Sequence, residues 1–391
     1  MSRHALVGGR VMTAEGLQDG LAVEIADGRI PALTPDAALA RDVSRRDLEG
    51  GLLLPGFIDT QVNGGGGALF NDAPSTDTIA RIGAAHRRYG TTGFLPTLIS
   101  DDLSVVEAAL TAMREACSAG VPGLLGAHIE GPFLSYARQG IHDSDHFRAL
   151  DAPALDLLTR DWGCRIVTTL APEMVDRKAV RRLAAAGVIV AAGHTNATYA
   201  QMRDGFADGF TGVTHLFNAM SPLTAREPGV VGAALESDAW CGIIVDGRHV
   251  DPVVLRLGLK CHRLDRFMLV TDAMPCVGGD RHSFVLQGKT IFVRDGACYD
   301  EEGRLAGSDL DMASALRNAV RELGLSLAEA SAMASRGPAA FLGLAEETGR
   351  IAPGLRADLV LLDDDLRVRE TWIGGVSASE LEAAEARRVD A

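Results

Sequence analysis

The sequence predicts an α/β fold: a (β/α)8 TIM-type barrel with a small β-sandwich domain built from both chain ends. Three observations predict it. From residue 52 onward, short apolar runs alternate with amphipathic stretches; the runs number eight; and acids, amides and imidazoles collect at their C-terminal ends. Eight buried strands alternating with helices is the arithmetic of a parallel barrel. The rival doubly wound sheet would carry GxGxxG after its first strand, and the GGGG at 64–67 lacks that spacing.

Taken in order, residues 1–51 are short segments punctuated by Gly and Asp (LVGGRVMTAEG, LAVEIADGRI). They predict small antiparallel strands, the first part of the small domain. The barrel is expected over 52–348, its strands being LLLPGFID, TGFLPTLI, GLLGAHIE, CRIVTTLAP, GVIVAAGH, GVTHLF, CGIIVDGRH and RFMLVTD. Between them, helical periodicity marks Thr76–Tyr89, Asp102–Ser118, Val175–Ala186 and Asp251–His262. A β-like insertion near 281–303 (SFVLQGKTIFVRDGACYD) precedes a helix over Asp309–Glu322. Residues 349–376 return to the texture of the N-terminus, so 349–391 is expected to complete the small domain, with an Ala/Glu-rich helical tail at Ser377–Arg388.

Composition narrows the function. The chain of 391 residues carries a net charge of −14, which argues against generic nucleic-acid binding and requires any anionic substrate to find a locally basic pocket. No apolar run is long enough to span a bilayer, and the N-terminus has no secretory pattern, which predicts no membrane partner. Six cysteines without CxxC spacing read as buried, reduced thiols of a cytoplasmic protein.

In a barrel, chemistry collects where strands end. Here those ends carry Gln61 and Asn63, Glu130, His194, His215, His249 and Asp272. Alone, Glu130 has a turn cap as its bland alternative and either histidine a structural ring. Together, Glu130, His194 and His215 supply one carboxylate and two imidazoles, the ligand set of a catalytic zinc site with an open position. Asp272, after FMLVT, is placed to act as general base. His128 lies two residues before Glu130 on the same strand face and is not assigned as a ligand. His4, His86, His146, His262 and His282 read as surface residues.

Six motifs, GAHIEGPF, AAGHTNAT, THLFNAMSPLTAREPG, VDGRHVDP, LVTDAM and LAGS, occur in order. Through them the chain resembles the N-acetylglucosamine-6-phosphate deacetylases of the amidohydrolase superfamily. The resemblance implies hydrolysis of the acetamide of N-acetylglucosamine 6-phosphate, with the galactosamine epimer or another amidohydrolase reaction as alternatives and a non-catalytic scaffold as the remote one. It implies metal ligands Glu130, His194 and His215, with Asp272 as acid/base and His142 polarising the carbonyl in the substrate pocket. Asn218 and Ala219 match contacts to the sugar phosphate, Arg226 and His249 match a phosphate pair, and Leu305, Ala306, Gly307 and Ser308 match a substrate loop. It further implies a homodimer sharing the phosphate site. Two-metal relatives place His-x-His where this chain has Gln61 and Asn63. Amides bind zinc or iron poorly, so one divalent metal per chain is expected, zinc first, with iron or cobalt compatible.

Overall fold

The computed structural model describes residues 3–389, so the last two residues of the expected second small-domain segment, Asp390 and Ala391, lie outside the described residues. Eight parallel strands follow one another around a single sheet: β1 (Phe57–Val62), β2 (Thr91–Ile99), β3 (Gly126–Glu130), β4 (Arg165–Leu170), β5 (Ile189–Ala192), β6 (Phe210–Val213), β7 (Trp240–Ile243) and β8 (Phe267–Leu269). Both faces of these strands are covered, and every residue of β1 and β2 is buried. That is why they read as apolar runs rather than alternating ones. The ring nearly closes at its C-terminal mouth, where Val62 bridges Ala273 in parallel and the Asp272 N–H donates to the Gln61 carbonyl at 3.0 Å.

The helices through the barrel are α1 (Thr76–Arg87), α2 (Leu103–Ser118), α3 (Ala152–Leu158), α4 (Arg177–Ala185), α5 (Tyr199–Asp208), α6 (Gly229–Glu236), α7 (Pro252–Cys261) and α8 (Met312–Arg321), followed by Leu327–Ala334, Arg336–Phe341 and the tail helix Ala378–Val389. Side-chain oxygens of Ser75, Asp151, Asp176, Thr198, Asp251 and Asp311 accept first-turn N–H groups, satisfying donors that the helices leave free. The expected helices differ from these by at most three residues at either end, in part because the pattern includes capping residues.

The run LLLPGFID is not one strand. Leu52–Pro55 pairs with Arg10–Thr13 and Leu359–Leu362, and only Phe57 onward enters the barrel. Leu52–Pro55 thus sits inside a six-stranded sheet to which both chain ends contribute. A separate four-stranded sheet contains Leu33–Pro35, Leu21–Ile25, His4–Val7 and Ser44–Asp47. Leu6, Val23 and Ile25 from the smaller sheet share one buried cluster with Leu53, Leu359 and Trp372 from the larger. The insertion forms a four-stranded antiparallel sheet, Ser283–Leu286, Lys289–Arg294, Ala297–Tyr299 and Leu305–Ser308. Its last strand returns to the mouth, where Ser308 bridges Ala273.

Two histidine expectations are corrected. His86 is fully buried, not a surface residue: α1 turns it onto the glycine turn, where its Nε2–H donates to the Gly64 carbonyl at 2.9 Å. A Cβ on Gly65 would lie 2.8 Å from the His86 ring, so that packing excludes any larger residue there. His249 does not end a strand; β7 stops at Ile243 and His249 sits in the loop beyond. The thiols also differ from expectation. Cys241, Cys276 and Cys298 are buried, but Cys117 and Cys164 are half-buried and Cys261 is exposed; all six are free.

Candidate active site

Glu130 is the last residue of β3, and His194 and His215 each follow a strand by two residues. Their ligand atoms all lie within 4.8 Å of one another. The Glu130 Oε1 is 3.0 Å from His215 Nε2 and 3.3 Å from His194 Nε2, and the two imidazole nitrogens are 3.1 Å apart. His194 Nδ1 donates to the Arg138 carbonyl at 2.9 Å, which leaves its Nε2 lone pair facing the centre. Burial pushes the Glu130 carboxyl up, but hydrogen bonds and charge from both histidines overcome this and hold it well below the usual range. Burial likewise pulls His215 down, and the Glu130 hydrogen bond and charge, aided by Asp272, more than restore it. The centre therefore favours positive charge. Donor types, convergence and electrostatics all fit a divalent metal.

Asp272 stands beside this centre. Burial raises its pKa and the Glu130 charge adds to the rise, against the opposing His215, His249 and Asn63. The Gln61 amide nitrogen lies between the carboxylates, 3.1 Å from Glu130 Oε2 and 3.2 Å from Asp272 Oδ1, and Asn63 Nδ2 reaches Asp272 Oδ1 at 2.6 Å. The two amides thus donate to the two carboxylates and partly offset their mutual repulsion. Asp59, on the same strand face, lies deeper. It accepts hydrogen bonds from the Thr271 hydroxyl and N–H, pinning β1 to the segment that carries Asp272. His194, His215, Ala219 and Asp272 all have positive φ, between 33° and 55°. Such backbone strain persists where the surrounding structure enforces it.

A cavity of about 160 Å³ opens over the centre, bordered by Asn63, Glu130, His142, His194, His215, Asn218, Ala219, His249, Asp272, Leu305 and Gly307, with Ile99, Ile141 and Met274 as apolar wall. The Ser100 N–H and hydroxyl approach His142 Nδ1 at 3.3 and 2.8 Å. A ring nitrogen that accepts an N–H is unprotonated, so His142 carries its proton on Nε2. Burial and the neighbouring His194 charge hold its pKa well below the usual value, which keeps the ring neutral. Gly131 protects this arrangement, since a Cβ there would lie 2.2 Å from the Ser100 hydroxyl. His249 Nδ1 donates to Asp246 Oδ2 at 2.6 Å, while Asp246 Oδ1 accepts the N–H groups of Arg248 and His249. Asn218 Nδ2 is buried without a protein partner.

Three expected contacts lie elsewhere. Ala306 and Ser308 are buried behind the lining, and Ser308 donates to the Thr271 carbonyl at 2.6 Å. Alternate side chains of a strand point to opposite faces, so only Leu305 and Gly307 border the cavity. Arg226 is exposed on the loop after β6 and outside the lining. His128, whose role the sequence left open, lies beneath the site between Thr97 (3.2 Å) and Thr169 (2.7 Å), with its pKa pulled by burial to about 4. It is a neutral, hydrogen-bonded ring of the barrel interior. Ser100 and Asp246 carry roles that sequence reasoning does not assign, though Asp246, three residues before His249 in DGRH, leaves a local trace; Asp59 is legible in sequence as sharing a strand face with Gln61 and Asn63.

A barrel with a carboxylate–bis-imidazole cluster at its mouth, and a raised carboxylate beside it, defines a metal-dependent hydrolase. The amidohydrolase family profile matches residues 52–378, and the chain belongs to that family. It is 45% identical over 383 residues to an N-acetylgalactosamine-6-phosphate deacetylase of Shewanella sp. (strain ANA-3), covering 96% of each chain. It is 35% identical over 376 residues to an N-acetylglucosamine-6-phosphate deacetylase of Haemophilus influenzae, covering 95% of this chain and 98% of that one. The crystal structure of the Pasteurella multocida N-acetylglucosamine-6-phosphate deacetylase superposes with a TM-score of 0.93 at 37% identity, over 96% of this chain and 99% of that chain.

Proposed function

We propose that the chain hydrolyses the acetamide of N-acetylglucosamine 6-phosphate to glucosamine 6-phosphate and acetate. The observation that carries this is the Glu130–His194–His215 cluster with Asp272 beside it, within a family whose relatives bear that activity in their names. A divalent metal held by those three residues, zinc first, supplies the Lewis acidity that polarises an amide carbonyl and acidifies a water. Asp272, its pKa raised, takes the water's proton and returns it to the departing amine, which cannot leave as an anion. His142 donates its Nε2–H where negative charge develops on the carbonyl oxygen. Asn218 and the Ala219 backbone hold the sugar, and His249 receives the phosphate. Remote binding of that phosphate orients the acetamide.

Arg226 reaches a phosphate pocket in this reading only from a second copy of the chain. The exposed apolar residues Leu223 (58%) and Leu257 (57%), on the Arg226 loop and on α7, support such a homodimer. The galactosamine epimer is the second reading, favoured by the 45% identity to the Shewanella relative against 35% to the Haemophilus one.

The test is acetate release by the zinc-loaded protein from both phosphorylated epimers and from unphosphorylated N-acetylglucosamine. Phosphorylated substrate is expected to react far faster; equal rates with and without phosphate would remove the phosphate-pocket assignment. The ratio between epimers decides between the two readings. Metal analysis of the same sample is expected to find one tightly bound ion per chain, and two stoichiometric ions in active enzyme would overturn the reading of Gln61 and Asn63.

A further inference from the structure

On the flank of the barrel, a cleft of about 500 Å³ shares no lining residue with the candidate active site. Four arginines line it: Arg88 at the end of α1, Arg317 and Arg321 one turn apart on α8, and Arg367 on the hairpin before Val368–Ile373. Only two carboxylates, Asp311 and Asp365, accompany them. Asp311 is engaged in capping α8, accepting the Ser314 N–H at 2.8 Å and its hydroxyl at 2.6 Å. Among the described residues, Arg317, Arg321 and Arg367 form no ion pair, and Arg88 meets a carboxylate only at 3.7 Å, that of Glu382.

A purely fastening role explains part of this. Arg317 donates to the Leu366 carbonyl at 3.0 Å and to the Ser314 hydroxyl at 2.6 Å, and Arg321 donates to the Asp365 carbonyl at 3.3 Å, tying the hairpin to α8. A guanidinium has five donors, so these bonds leave most of the set unused, and they do not account for Arg88 or Arg367. Four cations lining one concave, solvent-open cleft, three of them exposed and Arg317 half-buried, repel one another and add to a local positive potential. In a chain of net charge −14, carboxylates were available to neutralise them. We propose that this cleft binds a small phosphate-bearing anion at a site separate from the candidate active site. Arginine forks suit phosphate oxygens geometrically as well as electrostatically.

The test uses the full-length, metal-loaded protein carrying His249→Ala, which weakens the phosphate pocket proposed for the active site. Inorganic phosphate is the probe, titrated calorimetrically. Binding at one site per chain is expected, weakening as salt rises. Adding Arg321→Glu and Arg367→Glu is expected to weaken it at least ~10-fold, the scale of placing like charges against a ligand. In the otherwise native protein the same pair should leave deacetylase turnover unchanged. If charge reversal loosens the hairpin, the milder Arg88→Gln/Arg367→Gln pair, which spares both carbonyl bonds, must give the same direction of change. Displacement of phosphate by glycerol phosphate or by ADP supports the assignment. Absence of phosphate binding, binding indifferent to the arginine changes, or failure of both competitors overturns it.

Discussion

Asp272 is the residue on which turnover depends in the proposed reaction, because it alone combines a raised pKa with a place beside the metal-ready cluster. Asp272→Asn keeps the shape and removes the base. Turnover is expected to fall at least ~10²-fold, the lower scale of acid–base catalysis, with metal content unchanged. Near-normal turnover with full metal would exclude this role. Asp246 acts at one remove: it fixes the His249 ring and leaves Nε2 toward the cavity. Burial alone would raise the Asp246 pKa, yet the His249 bond and charge, with two backbone N–H groups, hold it below the usual range. Asp246→Asn should therefore raise KM for the phosphorylated sugar ~10-fold, about one charge-assisted hydrogen bond, with little change in kcat. Loss confined to kcat would show that His249 does not serve the phosphate. The His-x-His position is legible at this scale as well, since replacing imidazole by amide turns a potential ligand pair into donors to Glu130 and Asp272.

At the scale of elements, the junction of β1 with the segment after β8 positions the base. Asp59 joins them through Thr271, and its burial pushes its pKa to about 7 from 3.8 despite those hydrogen bonds. Because the folded value is raised, the stabilising contribution is full below 3.8 and is lost as pH climbs through about 7. Asp59→Asn removes the titration. Relative to the variant, the wild type should lose stability across that window in melts run at constant metal; a difference that stays flat with pH would refute it. The glycine turn behaves as an element too. In sequence its GGGG is notable only for lacking the GxGxxG spacing, whereas the structure packs it against α1 and His86.

For the whole molecule, the net charge is −14, and no helix among the described residues is long and apolar enough to cross a membrane. Three large apolar side chains are left outside on α7, Val253, Val254 and Leu257, and the pairs Val253/Leu257 (i, i+4) and Val254/Leu257 (i, i+3) share one helix surface. Leu257→Glu is expected to leave monomer stability within ~0.5 kcal/mol, as exposed substitutions do. If the chain pairs through this surface as proposed, the change should convert the dimer to monomer in sedimentation and raise KM for phosphorylated substrate by withdrawing Arg226 of the second copy. A dimer that survives the change would place the interface elsewhere.

The alternation of apolar runs and helices, and the Glu130, His194, His215 and Asp272 set at or just past strand ends, were legible because burial and hydrogen-bonding patterns repeat locally along the chain. Several helix starts follow a Ser, Thr or Asp whose side chain caps the first turn, whereas α6 starts after Pro228 without a side-chain cap. What the sequence alone determined is therefore the barrel, the chemistry of its mouth and the types of ligand atoms available. Only the tertiary structure decided that Leu52–Pro55 leaves the barrel for a sheet shared with Leu359–Leu362, that His86 is buried and that His249 is held by Asp246. Only it decided that Ala306 and Ser308 face away from the cavity while Leu305 and Gly307 face it. These depend on which segments meet after distant parts of the chain are brought together, and on which face of a strand is turned inward. Both are set by packing over long separations that no local pattern encodes.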